Sequence, residues 1–273
     1  VTLRKPIAFL RKDFLMEISY RFSFFLQFGG IFFSVVMFYF VSELIGSAPT
    51  VQQSLSRYGG NYFSFVLIGI AFSNFLSVGL GSFSTSIRGE QMMGTLEAML
   101  VTPTRLPTII LSSSQWSFAF TSLRVGIYLL LGGLLFGVDF GNARVLPALT
   151  ALLLTVIAFS SLGIISASFI MTFKRGDPMA WIISTSSTLV GGVYYPITIL
   201  PDWLQGLSYL FPITYSLDAI RLSLLQGQGF GSSDVTRDLL ALVVFSVVTL
   251  PISLLVFRYA VRRAKKDGSL AYY

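Results

Sequence analysis

Long uncharged apolar runs alternate with short charged turns along this chain, and that pattern restricts it to a membrane-spanning helical fold. The first run, Phe22 to Ser42, has 21 residues and the last, Leu239 to Phe257, has 19. A hydrocarbon layer of about 30 Å takes roughly 20 helical residues to cross. Lipid offers no partners for backbone polar groups, so runs of this length imply helices that close their own hydrogen bonds. Of the 273 residues 54% are apolar and 11% charged, whereas soluble proteins carry about 25% charged residues. No room is left for a large soluble domain.

The runs predict six spans, at 22–42, 62–87, 110–138, 145–173, 179–196 and 239–257. Arg124 alone interrupts the third, the KRGDP turn from Lys174 to Pro178 separates the fourth from the fifth, and Pro196 ends the fifth. Within residues 1–20, Leu3, Ile7, Leu10, Phe14 and Ile18 recur at helical spacing, while Arg4, Lys5, Arg11 and Lys12 point mostly elsewhere. That pattern fits an amphipathic helix on the cytoplasmic membrane surface, with the solvated start of span one as the plainer alternative. Charges at Arg11, Lys12, Asp13 and Glu17 interrupt the early apolar stretch, so the N-terminus does not read as a cleaved signal peptide. Residues 197–225 contain Pro201, Gly206, Pro212, Asp218 and Arg221, and their longest uncharged piece, Trp203 to Leu217, has 15 residues. A re-entrant or interfacial hairpin suits this segment better than a span. With both termini cytoplasmic, fourteen of the nineteen Lys and Arg fall inside and only Arg57, Arg144, Arg221 and Arg237 outside, as the positive-inside rule requires. A seventh span would put the basic tail from Arg258 on the wrong side.

Several function classes drop out. Cysteine and histidine are absent, which excludes disulfides, Cys/His metal sites, thiol nucleophiles and Ser-His-Asp triads. No GxxxxGK[ST] motif occurs, so the chain has no P-loop and is not expected to be an enzyme. The net charge of +7 sits in short clusters beside the apolar runs, which reads as cytoplasmic loops rather than a nucleic-acid surface. Membrane lipid is the expected surrounding. An ion-coupled secondary transporter stays open as an alternative, although every Asp and Glu falls in a loop, hairpin or span end. A membrane-embedded transferase stays open too, but it would lack paired carboxylates at a membrane face.

Three constellations could carry function. After span two, RGEQMMGTLEAMLVTPTRLP from Arg88 to Pro107 predicts a short cytoplasmic helix. In it Met92, Met93, Leu96, Met99 and Leu100 would form an apolar stripe beside Glu90 and Glu97, a surface suited either to docking a partner or to resting on lipid. Arg124 is either a contact for an anionic substrate headgroup or an anchor that snorkels toward the inner leaflet. The span-one aromatics, Phe28 and Phe32 among them, could line an apolar substrate path or simply face lipid and core. Asp218 and Arg221, three apart on a helix, predict a local ion pair rather than a proton relay.

The stretch RGEQMMGTLEAMLVTPTR, Arg88 to Arg105, resembles the coupling-helix region of ABC-2 type permeases, the membrane subunits of ATP-binding-cassette exporters. GGVYYPITILPDWLQGLSYLFPITYSLDAIR, Gly191 to Arg221, resembles the same family's signature after its fifth span. The resemblance covers essentially the whole chain. It implies one all-α integral membrane domain over 1–273, with six transmembrane helices, an N-terminal amphipathic interfacial helix, a cytoplasmic coupling helix at 88–103, and a re-entrant helical hairpin between spans five and six. It further implies that Glu90, Met93, Gly94, Thr95, Leu96, Glu97 and Leu100 meet an ATPase subunit present in two copies. ATP and Mg would be bound by that partner and no cofactor by this chain. A second permease copy or close relative would complete a dimer. Tyr195, Pro196, Leu200, Pro201, Trp203, Leu204, Pro212, Tyr215, Asp218 and Arg221 match the signature, and the first two with Pro201, Trp203, Pro212, Tyr215, Asp218 and Arg221 would form an extracellular re-entrant gate. The expected role is export of an amphipathic or lipid-linked substrate, whether drug, lipid, glycolipid or polysaccharide, across the inner (plasma) membrane.

Overall fold

Apolar runs of this length have to form helices, and the computed structural model, which describes residues 4–46, 48–92, 94, 106–173 and 177–266, contains ten α-helices and no strand among them. In chain order they are α1 (Arg4–Ser19), α2 (Arg21–Ile45), α3 (Pro49–Ser54), α4 (Tyr62–Met92), α5 (Leu106–Phe136), α6 (Val145–Phe173), α7 (Pro178–Val190), α8 (Asp202–Ser208), α9 (Pro212–Leu225) and α10 (Ser233–Lys266). Five of them, α2, α4, α5, α6 and α10, are long and apolar enough to cross a membrane.

The predicted fifth span has a different construction. Its helix, α7, starts on the Asp177 cap, whose carboxylate accepts from the Ala180 N–H at 3.0 Å, with Pro178 in the first turn. It is 13 residues long, about 20 Å, and so falls short of the hydrocarbon layer. Gly191 and Gly192, the latter at φ +77°, stop it. Three hydrogen bonds along α6 position α7 and α9. Ser166, in the second half of α6, donates to the Asp177 carboxylate at the start of α7. Thr155 donates to Ser216 of α9 at 2.5 Å, and the Arg144 N–H just ahead of α6 donates to the Ser223 carbonyl at 2.9 Å. Thus α7 and α9 lie along successive stretches of α6 as two half-helices. Ser208 at the end of α8 ties them together, donating to the Val190 carbonyl at 2.7 Å and accepting from Thr214 at 2.7 Å. A length criterion therefore finds five spans where the apolar pattern predicts six.

The centre of the bundle is α4. In its most apolar window 72% of residues are buried, against 11% for α2, so one helix is the core and the other faces outward. Phe65, Ile68, Phe75, Leu76 and Leu80 of α4 are fully enclosed, together with Phe159 of α6 and Ile213, Leu217 and Ile220 of α9. Where α4 crosses α6 the backbones meet on glycines. A Cβ at Gly163 would lie 2.1 Å from the Gly79 carbonyl oxygen, and one at Gly79 would lie 2.6 Å from the Phe159 Cβ. Small residues permit this approach, and lipid-immersed helices depend on such packing because apolar burial hardly separates helix from lipid.

The boundary predicted between span two and a separate helix at residue 88 is not seen: α4 runs unbroken from Tyr62 to Met92. No proline lies between Ile87 and Met92 and the single Gly89 is tolerated, so Arg88 and Glu90 continue the helix rather than start another. Its 31 residues make a rod of about 47 Å, longer than the hydrocarbon layer. Gly94 comes two residues later at φ +68°, the left-handed conformation that commonly stops a helix.

Candidate functional site

At the junction of the two half-helices sits Arg221, 2% exposed and held on the buried face of α9 by the apolar positions around it. Its guanidinium donates to three main-chain carbonyls: Nε to Phe65 at 3.1 Å, Nη1 to Gly192 at 2.8 Å and Nη2 to Val193 at 3.1 Å. The plane also lies 3.4 Å from the centre of the Phe65 ring. The fork geometry of arginine suits this task, since one planar cation reaches carbonyls on two separate segments. These carbonyls include the two freed where α7 unwinds at Gly192 and Val193, groups that lipid would leave unsatisfied. One side chain thereby clasps α4, the unwound end of α7 and α9.

Gly69 makes the clasp sterically possible: a Cβ there would lie 2.0 Å from the Val193 carbonyl oxygen and 2.6 Å from Arg221 Nη2. Gly69→Ala is expected to cost about 1–3 kcal/mol through overpacking. Gly126→Ala on α5, where nothing lies within 4 Å, should be neutral or stabilise slightly. Thermal unfolding of the two variants in the same detergent checks the contrast.

The ion pair predicted between Asp218 and Arg221 is replaced by other partners. Arg221 turns inward to the carbonyls, while Asp218, one turn earlier on α9, faces the mouth of the hairpin. There it accepts from the Tyr58 hydroxyl at 2.8 Å and pairs with Arg57 at 3.0 Å and more distantly with Arg237 at 3.8 Å. Arg57 also reaches Asp234 at 3.2 Å, and Arg237 lies 3.3 Å from Asp238. Burial, and then the neighbouring Asp218 carboxylate, push the Tyr58 phenol above its ordinary pKa. It therefore stays protonated and donates to Asp218. The network links the α3–α4 connection, α9 and the start of α10.

The other signature residues shape the hairpin around this pair of contacts. The Tyr195 hydroxyl donates to the Leu189 carbonyl, and Pro196 is buried ahead of a 3-10 turn at Ile197–Ile199. Pro201 precedes α8, Pro212 opens α9, and the Tyr215 hydroxyl donates to the Tyr209 carbonyl at 3.1 Å. Trp203 is 68% exposed and supports nothing inside the bundle.

The residues matched to the coupling motif are separated from the hairpin by the length of α4. Glu90 lies in the last turn of that helix and Gly94 just beyond it. Met93, Thr95, Leu96, Glu97 and Leu100, with most of the helix expected at 88–103, lie outside the described residues. Of the residues proposed for a substrate path, Phe28 is packed between α2 and α5, 4.9 Å from Phe24 and 6.2 Å from Phe120, whereas Phe32 is 43% exposed. Arg124 lies over the Phe120 ring at 4.6 Å, and its buried Nε has no hydrogen-bond partner. Phe120 is one turn nearer the start of α5, so Arg124 leans toward the α1 end of the bundle.

Arg57, Tyr58 and Arg237 are absent from the sequence-derived site. The charge count places Arg57 and Arg237 in outer loops, yet no spacing joins them to Asp218, which is 161 residues from the first.

Residues 8–225 match the family model described as ABC-2 type transporter, a stretch that takes in the clasp from Phe65 to Arg221. The chain is 30% identical over 191 residues to the inner membrane transport permease YadH of Escherichia coli K12, covering 70% of this chain and 72% of that protein. It is 28% identical over 211 residues to nodulation protein J of Sinorhizobium fredii, covering 76% and 78%. It is 23% identical over 205 residues to a putative transport permease, ycf38, of Cyanophora paradoxa, covering 71% and 70%. These matches make the chain a member of the ABC-2 type transporter family, the membrane subunit of an ATP-binding-cassette transporter.

Proposed function

We propose that this permease exports an amphipathic or lipid-linked molecule from the cytoplasm or inner leaflet, driven by ATP hydrolysis in two partner subunits. Both termini are cytoplasmic in this reading, and two permease copies enclose the route. The observation that carries it is the position of α4. This one enclosed helix bears a carbonyl of the Arg221 clasp near one end, and near the other it leads into the segment matched to the coupling motif. A push at residues 88–103 would travel along a rod of about 47 Å to the hairpin. In this reading the hairpin closes the outer exit and opens when α4 moves against α7 and α9. The exposed apolar face of α2, with Phe25 at 71%, Phe33 at 72% and Phe40 at 63%, is free for lipid or a second copy.

ATPase assays on the purified chain alone and on its complex with the partner subunit test this reading. No hydrolysis is expected from the chain and robust hydrolysis from the complex. Glu97→Ala should lower transport several-fold with less effect on ATP turnover. Hydrolysis by the isolated chain, or transport driven by an ion gradient without nucleotide, would overturn it.

A further inference from the structure

Where α9 meets the start of α10, two carboxyl groups come together. Asp238 sits on the second turn of α10, just ahead of the apolar run Leu239 to Phe257, and is 1% exposed. Its carboxyl lies within hydrogen-bonding reach of Asp218 on α9. One cation flanks both, since Arg237 Nη2 is 3.3 Å from Asp238 Oδ1 and 3.8 Å from Asp218 Oδ2. Two ionised carboxylates can only accept, so a hydrogen bond between them requires a proton on one. Their surroundings decide which. Asp218 is well provided as an anion, accepting from the Tyr58 hydroxyl at 2.8 Å and pairing with Arg57 at 3.0 Å. Asp238 is enclosed, and among the described residues no N–H or hydroxyl reaches its buried Oδ2. A charge there is the costlier of the two. Arg57, Arg221 and Arg237 match Asp218, Asp234 and Asp238 in number, so the case for a proton rests on enclosure and on the contact between the acids.

We propose that Asp218 and Asp238 form a proton-binding site, in which Asp238 holds the proton and donates it to the Asp218 carboxylate, and that this bond latches the hairpin to α10. Loss of the proton leaves two like charges facing each other away from water, which drives α9 and α10 apart. The other charged and titratable groups facing the pair are Arg57 and Tyr58 ahead of α4, Tyr209 after α8, Tyr215 and Arg221 on α9, and Asp234 and Arg237 on α10. The third neighbour, α6, carries no charged residue, and Arg144 just ahead of it lies beside Gly229. The site is built within one chain and is independent of the direction, cargo and energy source of transport, so it stands or falls apart from the export reading.

The absence of histidine and cysteine makes the site testable. These are the side chains that ordinarily titrate between about pH 5 and about pH 9, so a response in that window points to a displaced group. In an unfolded chain an aspartate gives up its proton near about pH 4, whereas the folded pair keeps one. The folded state then binds one proton more than the unfolded state, and stability falls as pH rises, by up to about tenfold in the unfolding constant per pH unit. The thermal midpoint of the full chain in phosphatidylcholine nanodiscs should therefore drop by several degrees from about pH 5 to about pH 9. Asp238→Asn, which keeps the shape and an N–H donor toward Asp218, should flatten that response, while Asp139→Asn in the α5–α6 loop should retain it. Infrared spectra should show the carbonyl stretch of a protonated carboxylic acid near neutral pH, lost on raising the pH and missing from Asp238→Asn. Should Asp238→Asn fold poorly, Asp218→Asn decides: with the charge that holds the proton removed, the fall in midpoint and the loss of the infrared band should begin at lower pH. A parent midpoint that is flat or rises with pH overturns the proposal, as does a carboxylic-acid band missing at neutral pH. It is overturned equally if Asp238→Asn, or Asp218→Asn in its place, titrates like the parent.

Discussion

Arg221→Met is expected to remove most of the folded permease. Methionine fills much of the space but donates nothing, so the carbonyls of Phe65, Gly192 and Val193 lose their donors together. Each buried group left unsatisfied costs about 1–3 kcal/mol, and breaking a buried charge site typically costs about 3–5 kcal/mol in all. Since whole domains are stable by only about 5–15 kcal/mol, the loss should appear as a sharply reduced monodisperse yield and a thermal midpoint lower by many degrees. Arg221→Lys should be intermediate, because a single ammonium cannot span carbonyls on two segments as the planar fork does. A methionine variant with the parent's yield and midpoint would show that the clasp is not what holds the half-helices. Asp218→Asn gives a useful contrast. It weakens the mouth network at a partly solvated site, where ion pairs contribute only about 0–1 kcal/mol, and should leave folding nearly intact.

The second large effect is expected where α4 crosses α6. Gly163→Val would drive side-chain atoms into the Gly79 and Leu80 carbonyl oxygens, which lie 2.1 and 3.0 Å from the Cβ position. Backbone cannot rotate aside as a flexible side chain can, so the two central helices must separate. The cost should reach the upper end of the overpacking range, about 3 kcal/mol. Gly79→Ala alone should act in the same way, its Cβ meeting Phe159 at 2.6 Å. The pair should not be additive: once the first substitution has separated the helices, the second meets open space. Thermal midpoints of both singles and the double decide the matter, and full additivity would mean that the two glycines do not share one contact.

Much of the fold is legible in the residues because bilayer thickness imposes a length rule that apolar runs either meet or miss. The runs ending at Ser42, Ile87, Val138, Phe173 and Phe257 meet it, and each corresponds to a long helix within a few residues at most ends. The rule is silent about short helices such as α7 and α9, neither long enough to cross alone, so it does not show how residues 178–225 pack. Proline and glycine placement at Pro196, Pro201, Pro212 and the Gly191–Gly192 pair marks where the chain breaks, but not how the freed backbone is satisfied. The segment around Arg88 reads as a new helix because its composition changes there, yet composition sets what surrounds a helix rather than where it ends. The terminator is Gly94, through its left-handed backbone.

The sequence by itself determined that this is a helical membrane protein, and which two stretches carry its family resemblance. Those properties follow from local composition, length and motif. Only the tertiary structure decided the partners of its buried and interfacial charges. Arg221 and Asp218 are three residues apart and so share one side of α9, but the segments packed against them differ: Arg221 meets carbonyls of Phe65 and Val193, and Asp218 meets Arg57 and Tyr58. Likewise nothing local distinguishes Gly69, Gly79 and Gly163 from the chain's other glycines. Their necessity comes from a backbone or side chain, distant in sequence, that packs within van der Waals distance of where a Cβ would stand.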